Sequence, residues 1–514
     1  MQYHNNIEAL SILAGLMESI KGVVGSTLGP NGSEVKILQT SRTQQTNDGL
    51  TILSNIHISP EKTHYELKSG IFKEILSGIR DHEDEVGDGT TSALVIIAEL
   101  YKEFNTMIRV EGKGVTNKDI VTGLKDVRKF IREIVERHSR DIDLNKDIYN
   151  IAMVASHNDD KLSSMIADAY SQSKWPYIEL SRQDNGTQTI LKRMSGYPIK
   201  CTVYTQYLNL RVKKSYIPII HFGEDIGTLY DKVKDVAKEI IIFSSANADI
   251  LMRQISERTS ITIVKMPFEG DTKMNAMIDL SSYIGLKIIQ DEDIGKLTLG
   301  TAIEITLEKD RLLLDEGSCN IDSRNERVNY LQDSLVDMKY RRTIADAIRK
   351  ALSALNNQYY VLTIGAFSSE EHTSGILTAQ DTIKAVNSAL SSGVVVGGGA
   401  LYLEISRNLR DKYKGTHSGA ITSRALLGYL EILHRSSAYN KLNMSGNTGL
   451  YNISYPNVIA KNVITKNDVV LNMEDEKIIE PTLVPLGVLT TAITHMITYF
   501  NAGIILINKG VVNG

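Results

Sequence analysis

The stretch Gly87-Asp88-Gly89-Thr90-Thr91-Ser92 decides how this chain is read. Two glycines bracket an acid, three hydroxyl residues follow, and Leu94, Ile97, Ala98, Tyr101 and Phe104 then recur on one side of a helix. Backbone amides at a helix start, together with the positive end of the helix dipole, make an anion site. The hydroxyls add donors, and Asp88 can hold a Mg²⁺ that bridges phosphates. An ordinary N-cap needs one Ser or Thr, not a run framed by Gly-Asp-Gly.

Three other glycine clusters lie along the chain. Thr27-Leu28-Gly29-Pro30-Asn31-Gly32 ends a first helix whose apolar face is Ile7, Leu10, Leu13, Met17, Ile20 and Val24. Alone it reads either as a phosphate loop or as a plain helix stop. Asn47-Asp48-Gly49 is by itself a turn. Gly393-Val394-Val395-Val396-Gly397-Gly398-Gly399-Ala400 precedes another helix, and its three successive glycines suit close approach of a ligand or a neighbouring chain. Neither GxxxxGK[ST] nor GxGxxG occurs, which removes the main support for a P-loop NTPase or a Rossmann dehydrogenase.

Composition bounds the rest. A chain of 514 residues, 42% hydrophobic and 23% charged, is globular and suggests three or four domains at about 150 residues each. A net charge of -4 gives no drive toward nucleic acid or acidic lipid. Cys201 and Cys319 form no metal or disulfide pattern. No basic stretch leads into an apolar run at the N-terminus, and no uncharged apolar run is expected to approach the ~20 residues that span a bilayer. The expectation is a cytoplasmic protein without nucleic-acid or membrane partners.

Helical periodicity marks Ser69 to Ile79, the helix after Thr90, and Asn117 to Arg140. Short strands are expected at Val35 to Leu38 and Leu50 to Leu53, around a polar excursion from Thr40 to Asp48. The middle alternates short strands, such as Ile217 to His221, Ile240 to Phe243 and Thr262 to Val264, with helices at Gly227 to Lys238, Ala248 to Thr259 and Asp271 to Tyr283. One long amphipathic stretch covers Glu326 to Leu355, and the last third returns to helix, closing with Thr482 to Tyr499. Helical ends thus flank an α/β middle.

Taken together these residues resemble the chaperonins, the ring-forming ATP-driven folding machines typified by GroEL. Residues Thr27 to Gly32 look like the first phosphate loop, Gly87 to Ser92 like the GDGTT segment, and Asn47-Asp48-Gly49-Leu50-Thr51 like the loop between them. Gly393 to Gly399 resembles the GVVxGGG segment, and Asp381, sixteen residues before Gly397, falls where the family places a catalytic aspartate. Ile479-Glu480-Pro481-Thr482 resembles the I-L-D-P-T segment. Order and spacing agree over essentially the whole chain. Ile263 to Asp271 and the lack of room for a built-in lid favour the bacterial-type branch, whereas Asn47 stands where that branch usually has Lys. The chain is a divergent member.

The resemblance implies a multidomain α+β fold. A mostly helical, discontinuous equatorial domain would span 1–135 and 392–514, a small α/β intermediate domain 136–188 and 360–391, and an α/β apical domain 189–359. It implies an ATPase that uses ATP and Mg²⁺, with K⁺ as a further ion. Asp88 would bind the metal, and Gly89, Thr90, Thr91 and Ser92 the phosphates. Thr27, Leu28, Gly29 and Pro30 would line the nucleotide's other side, and Gly397, Gly398 and Glu480 would approach ribose and base. Asp381 would orient or deprotonate the attacking water, with Asp48 beside it. The expected partners are unfolded polypeptide clients, further copies in a seven-membered ring, and a lid co-chaperonin.

Two apical helices would hold clients through Leu229, Val233 and Val236 on one and Leu251, Met252 and Ile255 on the next. The same spacing equally describes stripes packed on the apical sheet. Asn357-Gln358 replaces a glycine pair at the expected apical hinge, and Lys509 to Gly514 lacks a Gly-Gly-Met tail. A chaperonin-like scaffold that no longer folds clients is the alternative. A small-molecule kinase or ligase would need an acceptor site that the sequence does not display.

Overall fold

The computed structural model describes residues 2–29, 32–38, 43–60, 63–111, 115–172, 175–182, 186–194, 196–205, 212–236, 239–266, 270–307, 311–337, 342–413, 417–435, 455–461 and 468–507. The chain forms two compact units. One comprises Met1–Ser171, Asp184–Gln188 and Ile364–Gly514, and the other Gln172–Gln183 and Thr189–Thr363.

The first unit is helical, and both ends of the chain build it. Helices Asn6–Val24, Tyr65–Glu85, Thr90–Glu111, Asn117–His138, His417–Arg435 and Leu483–Asn501 bury their apolar stripes in one core. Leu10, Leu13 and Met17 meet Leu94, Ile97 and Phe104 there, and the Phe104 and Phe500 rings lie 4.9 Å apart. Each such side chain contributes about 1.5–3 kcal/mol by leaving water. Asn117–His138 begins where Thr116 and Asp119 cap each other's backbone, and its Ile120, Leu124, Val127 and Ile131 are buried.

Leu483–Asn501 departs from expectation. It carries no Asp, Glu, Lys or Arg over 19 residues, and with Glu8–Thr27 it is long and apolar enough to cross a membrane by length and composition. Its uniform apolarity has a packing reason, because Val484, Val488, Leu489, Ala492, Ile493, Met496 and Phe500 all lie in the core.

Local readings around the first loops also change. Leu50 to Leu53 belongs to the helix Gly49–Ser54, not a strand, because Asp48 caps it and Ile52 and Leu53 turn into the helical core. Thr43–Thr46, read as a polar excursion, is a strand paired antiparallel with Val35–Leu38. Its Thr and Gln residues alternate between exposed and sheltered, a two-residue period without an apolar signature. Two short helices without a strong stripe, Asp147–Ala155 and Asp160–Ser171, pack on each other, and the first packs on the helix Ser369–Ser392.

The second unit is built on an eight-stranded sheet. Its order is Tyr197–Lys200, Arg311–Leu314, Ile303–Leu307, Val212–Phe222, Ile240–Ser244, Ile261–Lys265 and Thr202–Tyr204, with Ile288–Gln290 pairing with Val212–Phe222. The central strands Val212–Phe222, Ile240–Ser244 and Ile261–Lys265 are parallel. Strand periodicity sends Ile240 and Ile242 to one face and Ile241 and Phe243 to the other. Both faces are covered, as parallel strands require.

The long amphipathic stretch Glu326 to Leu355 falls on two helices, Ile321–Asp337 and Arg342–Leu355. A three-stranded sheet of Tyr177–Arg182, Tyr359–Ile364 and Ile190–Arg193 completes this unit. Just before it, Asn357 takes φ +56°. Asn tolerates this left-handed conformation better than most side chains, so it can fill a place that suits glycine.

Candidate functional site

The sequence-marked acids and glycine loops converge in the helical unit. The helix Thr90–Glu111 starts where its first intrahelical bond runs from Ala93 N–H to the Gly89 carbonyl, 2.9 Å. The amides of Thr90, Thr91 and Ser92 precede that ladder and lie at the dipole's positive end. Gly89 N–H donates to Asp88 Oδ1 at 2.6 Å, so the two residues form a tight loop before the helix. Gly89 has φ +86°, and a Cβ there would lie 2.6 Å from Val488 Cγ2, which makes glycine a requirement.

Asp48 caps the short helix Gly49–Ser54 by accepting from Thr51 N–H at 2.7 Å, and its other oxygen is 3.4 Å from the Thr90 hydroxyl. A Cβ on Gly49 would fall 2.6 Å from Thr91 Oγ1, so this loop touches the start of the helix Thr90–Glu111 directly. Asn47 Nδ2 donates to His157 Nε2 at 2.8 Å, tying the loop to the turn after Asp147–Ala155.

Asp381 lies on the helix Ser369–Ser392. Desolvation by the surrounding protein pushes its carboxyl up to about 7; Lys384 opposes the shift, while Asp88, Glu83 and Asp48 add to it. The side chain is half exposed, on the cleft. Desolvation also raises Asp88, despite its open face, with Glu83 adding repulsion. Three of the predicted acids therefore share one electrostatic field.

Glu480 enters from the strand Ile479–Pro481, which pairs antiparallel with Val394–Val396. Burial, with Asp88 adding to it, pushes its carboxyl up to about 8, and its Oε1 is buried without a hydrogen-bond partner. An orphaned buried acceptor fits an incoming hydroxyl. Gly397 packs against Glu480 and donates its N–H to the Ile478 carbonyl at 2.9 Å, and Gly398 follows with φ +63°. The Tyr402 and Tyr429 rings meet at a tilt with centroids 4.9 Å apart, and the Tyr429 hydroxyl is 3.1 Å from Ser92 Oγ.

Thr27 and Leu28 are buried beside this helix start. The turn Gly25–Thr27 packs on Thr90–Glu111, and Thr27 Oγ1 donates to the Val24 carbonyl at 2.8 Å. Gly29 is half-buried with φ +87°. Pro30 lies outside the described residues, as do Lys509 to Gly514.

Among the described residues no three metal-ligating side chains cluster. A divalent cation that arrives with phosphate ligands needs only one or two protein carboxylates. Asp88 at a raised carboxyl pKa, with Glu83 and Asp381 nearby, is a negative field that such a cation would relieve. The residues fit Mg²⁺.

The client-binding expectation is corrected. Leu229, Val233, Met252 and Ile255 are buried and pack with Ile217, Ile219, Ile240, Ile242, Ile261 and Ile263 of the sheet, while Val236 is half-buried against the same cluster. These stripes are the inner faces of the helices Ile226–Val233 and Asp249–Arg258. The sheet's own apolar face needs that cover, so the periodicity reported packing. Of the six, only Leu251 is exposed, at 39%, beside Ile250 at 76%.

Several site residues carried no signal in the sequence. His82 is buried, with Nε2 2.8 Å from the Asp88 carbonyl and Nδ1 3.1 Å from Thr491 Oγ1. Lys384 reaches Glu83 Oε1 at 2.6 Å and Asp381 Oδ1 at 3.6 Å. The three-residue step from Asp381 to Lys384 could have suggested the second pair, but not the first.

Residues 20–500 match the model of the TCP-1/cpn60 chaperonin family. The fold is similar to that of the chaperonin gp146 from the bacteriophage EL 2 (Pseudomonas aeruginosa), in two crystal forms obtained in the presence of ATP-BeFx. Crystal form I superposes with a TM-score of 0.72 at 17% identity, covering 98% of both chains. Crystal form II gives 0.67 at 17% identity, covering 99% of this chain and 100% of that one. With the family's model matching nearly its whole length and its fold shared with a phage chaperonin, this chain belongs to the TCP-1/cpn60 chaperonin family.

Proposed function

We propose that the chain is an ATP-dependent protein-folding chaperonin whose nucleotide site is the cleft of Asp48, Asp88, Asp381 and Glu480. The observation that carries this reading is the convergence of Asp48 and Asp381 on Asp88 at the start of one helix, from segments far apart in sequence. The ATP analogue in the crystals of the phage chaperonin supports nucleotide as the ligand.

In this reading the amides and hydroxyls of Thr90, Thr91 and Ser92 hold phosphate oxygens at the helix start, with Gly89 shaping the approach. Asp88 holds Mg²⁺, whose charge, when bound, neutralises phosphate oxygens. Thr27, Leu28, Gly29 and Pro30 line one side of the nucleotide, and Glu480, Gly397 and Gly398 receive ribose and base. Asp381, once ionised, orients the water and accepts its proton, and Asp48 fixes Thr90 beside it. The protein's contribution is placement and charge, which is how phosphoryl transfer is accelerated.

The three-part division into 1–135 with 392–514, 136–188 with 360–391, and 189–359 belongs to the same proposal. So do a seven-membered ring, a lid co-chaperonin, K⁺ as an accompanying ion, a cytoplasmic setting, and movement of domains driven by hydrolysis. Clients would meet the exposed Ile250 and Leu251 rather than the buried stripes.

Asp381→Ala is expected to bind ATP while hydrolysing it at least about 100-fold more slowly. Hydrolysis at the wild-type rate would remove the assignment. Burial of Leu229, Val233, Met252 and Ile255 favours the second reading, a ring scaffold without folding activity. An aggregation-prone client refolded with and without ATP separates the two, since equal yields would favour the scaffold.

A further inference from the structure

Asp381 follows Asp88 by about 290 residues, so local chain geometry does not hold it over the phosphate loop. Its helix, Ser369–Ser392, packs on Asp147–Ala155 and on the strands Thr43–Thr46 and Ile479–Pro481. Those contacts set the helix's place but do not neutralise what it brings. Asp381 adds a fourth carboxylate to Asp48, Asp88 and Glu83, and like charges in a partly desolvated cleft push apart.

Lys384 answers both requirements. One helical turn beyond Asp381, its ammonium lies 3.6 Å from Asp381 Oδ1 and 2.6 Å from Glu83 Oε1, a residue 301 positions away on the helix Tyr65–Glu85. The Lys384 and Glu83 side chains are 26% and 21% exposed, sheltered more than a surface pair. The lysine's charge also reaches Asp88. Glu83 stands five residues before Asp88, at the end of the helix that leads into the phosphate loop. One ion pair therefore joins the segment carrying Asp381 to the segment carrying Asp88.

We propose that Lys384, pinned by Glu83, is a positioning residue for hydrolysis. It clasps the helix Ser369–Ser392 to the phosphate loop and holds Asp381 at working distance by screening its repulsion from Asp88 and Asp48. The proposal rests on the ATPase reading above. It assigns to Lys384 no contact with the reacting atoms, so its loss should slow turnover and leave nucleotide binding alone.

The test compares Lys384→Met, Glu83→Gln, their double variant and Lys384→Arg in the full-length protein. Measurements are steady-state ATP hydrolysis, ATP affinity by titration, and amide hydrogen exchange over residues 378–386 without nucleotide. Lys384→Met and Glu83→Gln should each lower kcat about 10- to 100-fold, the loss expected for a misplaced catalytic group, with KM and ATP affinity within about twofold. The double variant should be no worse than the poorer single, because both remove one contact. Lys384→Arg should keep most of the rate, and exchange over 378–386 should rise in Lys384→Met, Glu83→Gln and their double variant but not in Lys384→Arg. Wild-type kcat in Lys384→Met, a parallel loss of ATP affinity, or unchanged exchange would overturn the clasp. If the wild-type protein does not hydrolyse ATP, the ATPase reading fails, and hydrogen exchange alone then decides whether the clasp exists.

Discussion

His82 Nε2 lies 2.8 Å from the backbone carbonyl of Asp88. A carbonyl only accepts, so Nε2 carries the proton and Nδ1 accepts from the Thr491 hydroxyl. Burial lowers the imidazole's pKa, which keeps it neutral in this role. The loop before the helix Thr90–Glu111 is thus anchored by a buried side chain. His82→Leu should lower stability by about 1–3 kcal/mol in chemical denaturation, the penalty of an orphaned buried carbonyl, and weaken ATP binding as Asp88 loosens. An unchanged midpoint and affinity would show that the anchor is dispensable.

The rate of hydrolysis should follow the ionisation of Asp381. Facing this carboxyl are Lys384, which favours its charge, and Asp88, Glu83 and Asp48, which oppose it, while desolvation pushes it up to about 7. The carboxylate is the useful form, so kcat/KM should rise with pH below about 7 and level off above. A flat profile from pH 5.5 to 8 would contradict Asp381 as the base.

Glu480 should make stability fall as the medium becomes alkaline. Its folded pKa, pushed up to about 8, exceeds its ordinary value of 4.5, so its contribution is full below that ordinary value and is lost as pH rises through 8. Glu480→Gln should flatten this trend, and its melting temperature relative to wild type should climb between pH 5 and 9. ATP affinity should fall in the same variant.

His495 acts in the opposite direction. Burial drives its imidazole down to about 4 from an ordinary 6.5, and its Nε2 lies 3.0 Å from the Tyr101 hydroxyl in the helical core. The unfolded chain takes up this proton first, so stability is present above the ordinary value and is lost as pH falls through 4. Acid titration followed by circular dichroism should show the loss beginning near pH 6, and His495→Gln should reduce it.

Glycine requirements separate cleanly by position. Gly89→Ala places a Cβ against Val488 at φ +86° and should lose on the order of 1–3 kcal/mol, together with nucleotide binding. Gly78, inside the helix Tyr65–Glu85, has nothing within 4 Å of a built Cβ. Gly78→Ala should stabilise by about 0.5–1 kcal/mol. Equal effects at both positions would refute the geometric distinction.

The buried and exposed faces of the helices Ile226–Val233 and Asp249–Arg258 should also separate. Leu229→Ala and Met252→Ala remove core packing and should lose about 2–5 kcal/mol. Ile250→Ser and Leu251→Ser should leave the unfolding midpoint nearly unchanged while reducing capture of an unfolded client. If Ile250→Ser and Leu251→Ser capture client as wild type does, that surface is not the one used.

The glycine clusters were legible because backbone constraints appear in sequence as glycines, acids and hydroxyls at fixed spacing. Asp48 and Asp88 were marked by such segments, and Asp381 and Glu480 by their likeness to family segments. Lys384, Glu83 and His82 were not, because a long-range pair leaves no local spacing and lysine or histidine on a helix is ordinary. Leu229 and Met252 show the converse limit. An apolar stripe says that a face is buried and is silent about whether sheet or client buries it. Thr43–Thr46 was missed because its Thr and Gln residues carry no apolar alternation.

The strand Gln2–Asn5 pairs with Ile504–Ile507. On the ribosome, the first strand of the helical unit must therefore wait unpaired for nearly the whole of translation. The sheet unit, contained between Gln172 and Thr363, has all its strands in hand long before then. The order of synthesis thus lets the inserted unit mature first, and the cleft proposed for ATP comes last, when Glu480 and the closing strand emerge. A chain interrupted late in synthesis would carry a finished sheet unit on an open helical one.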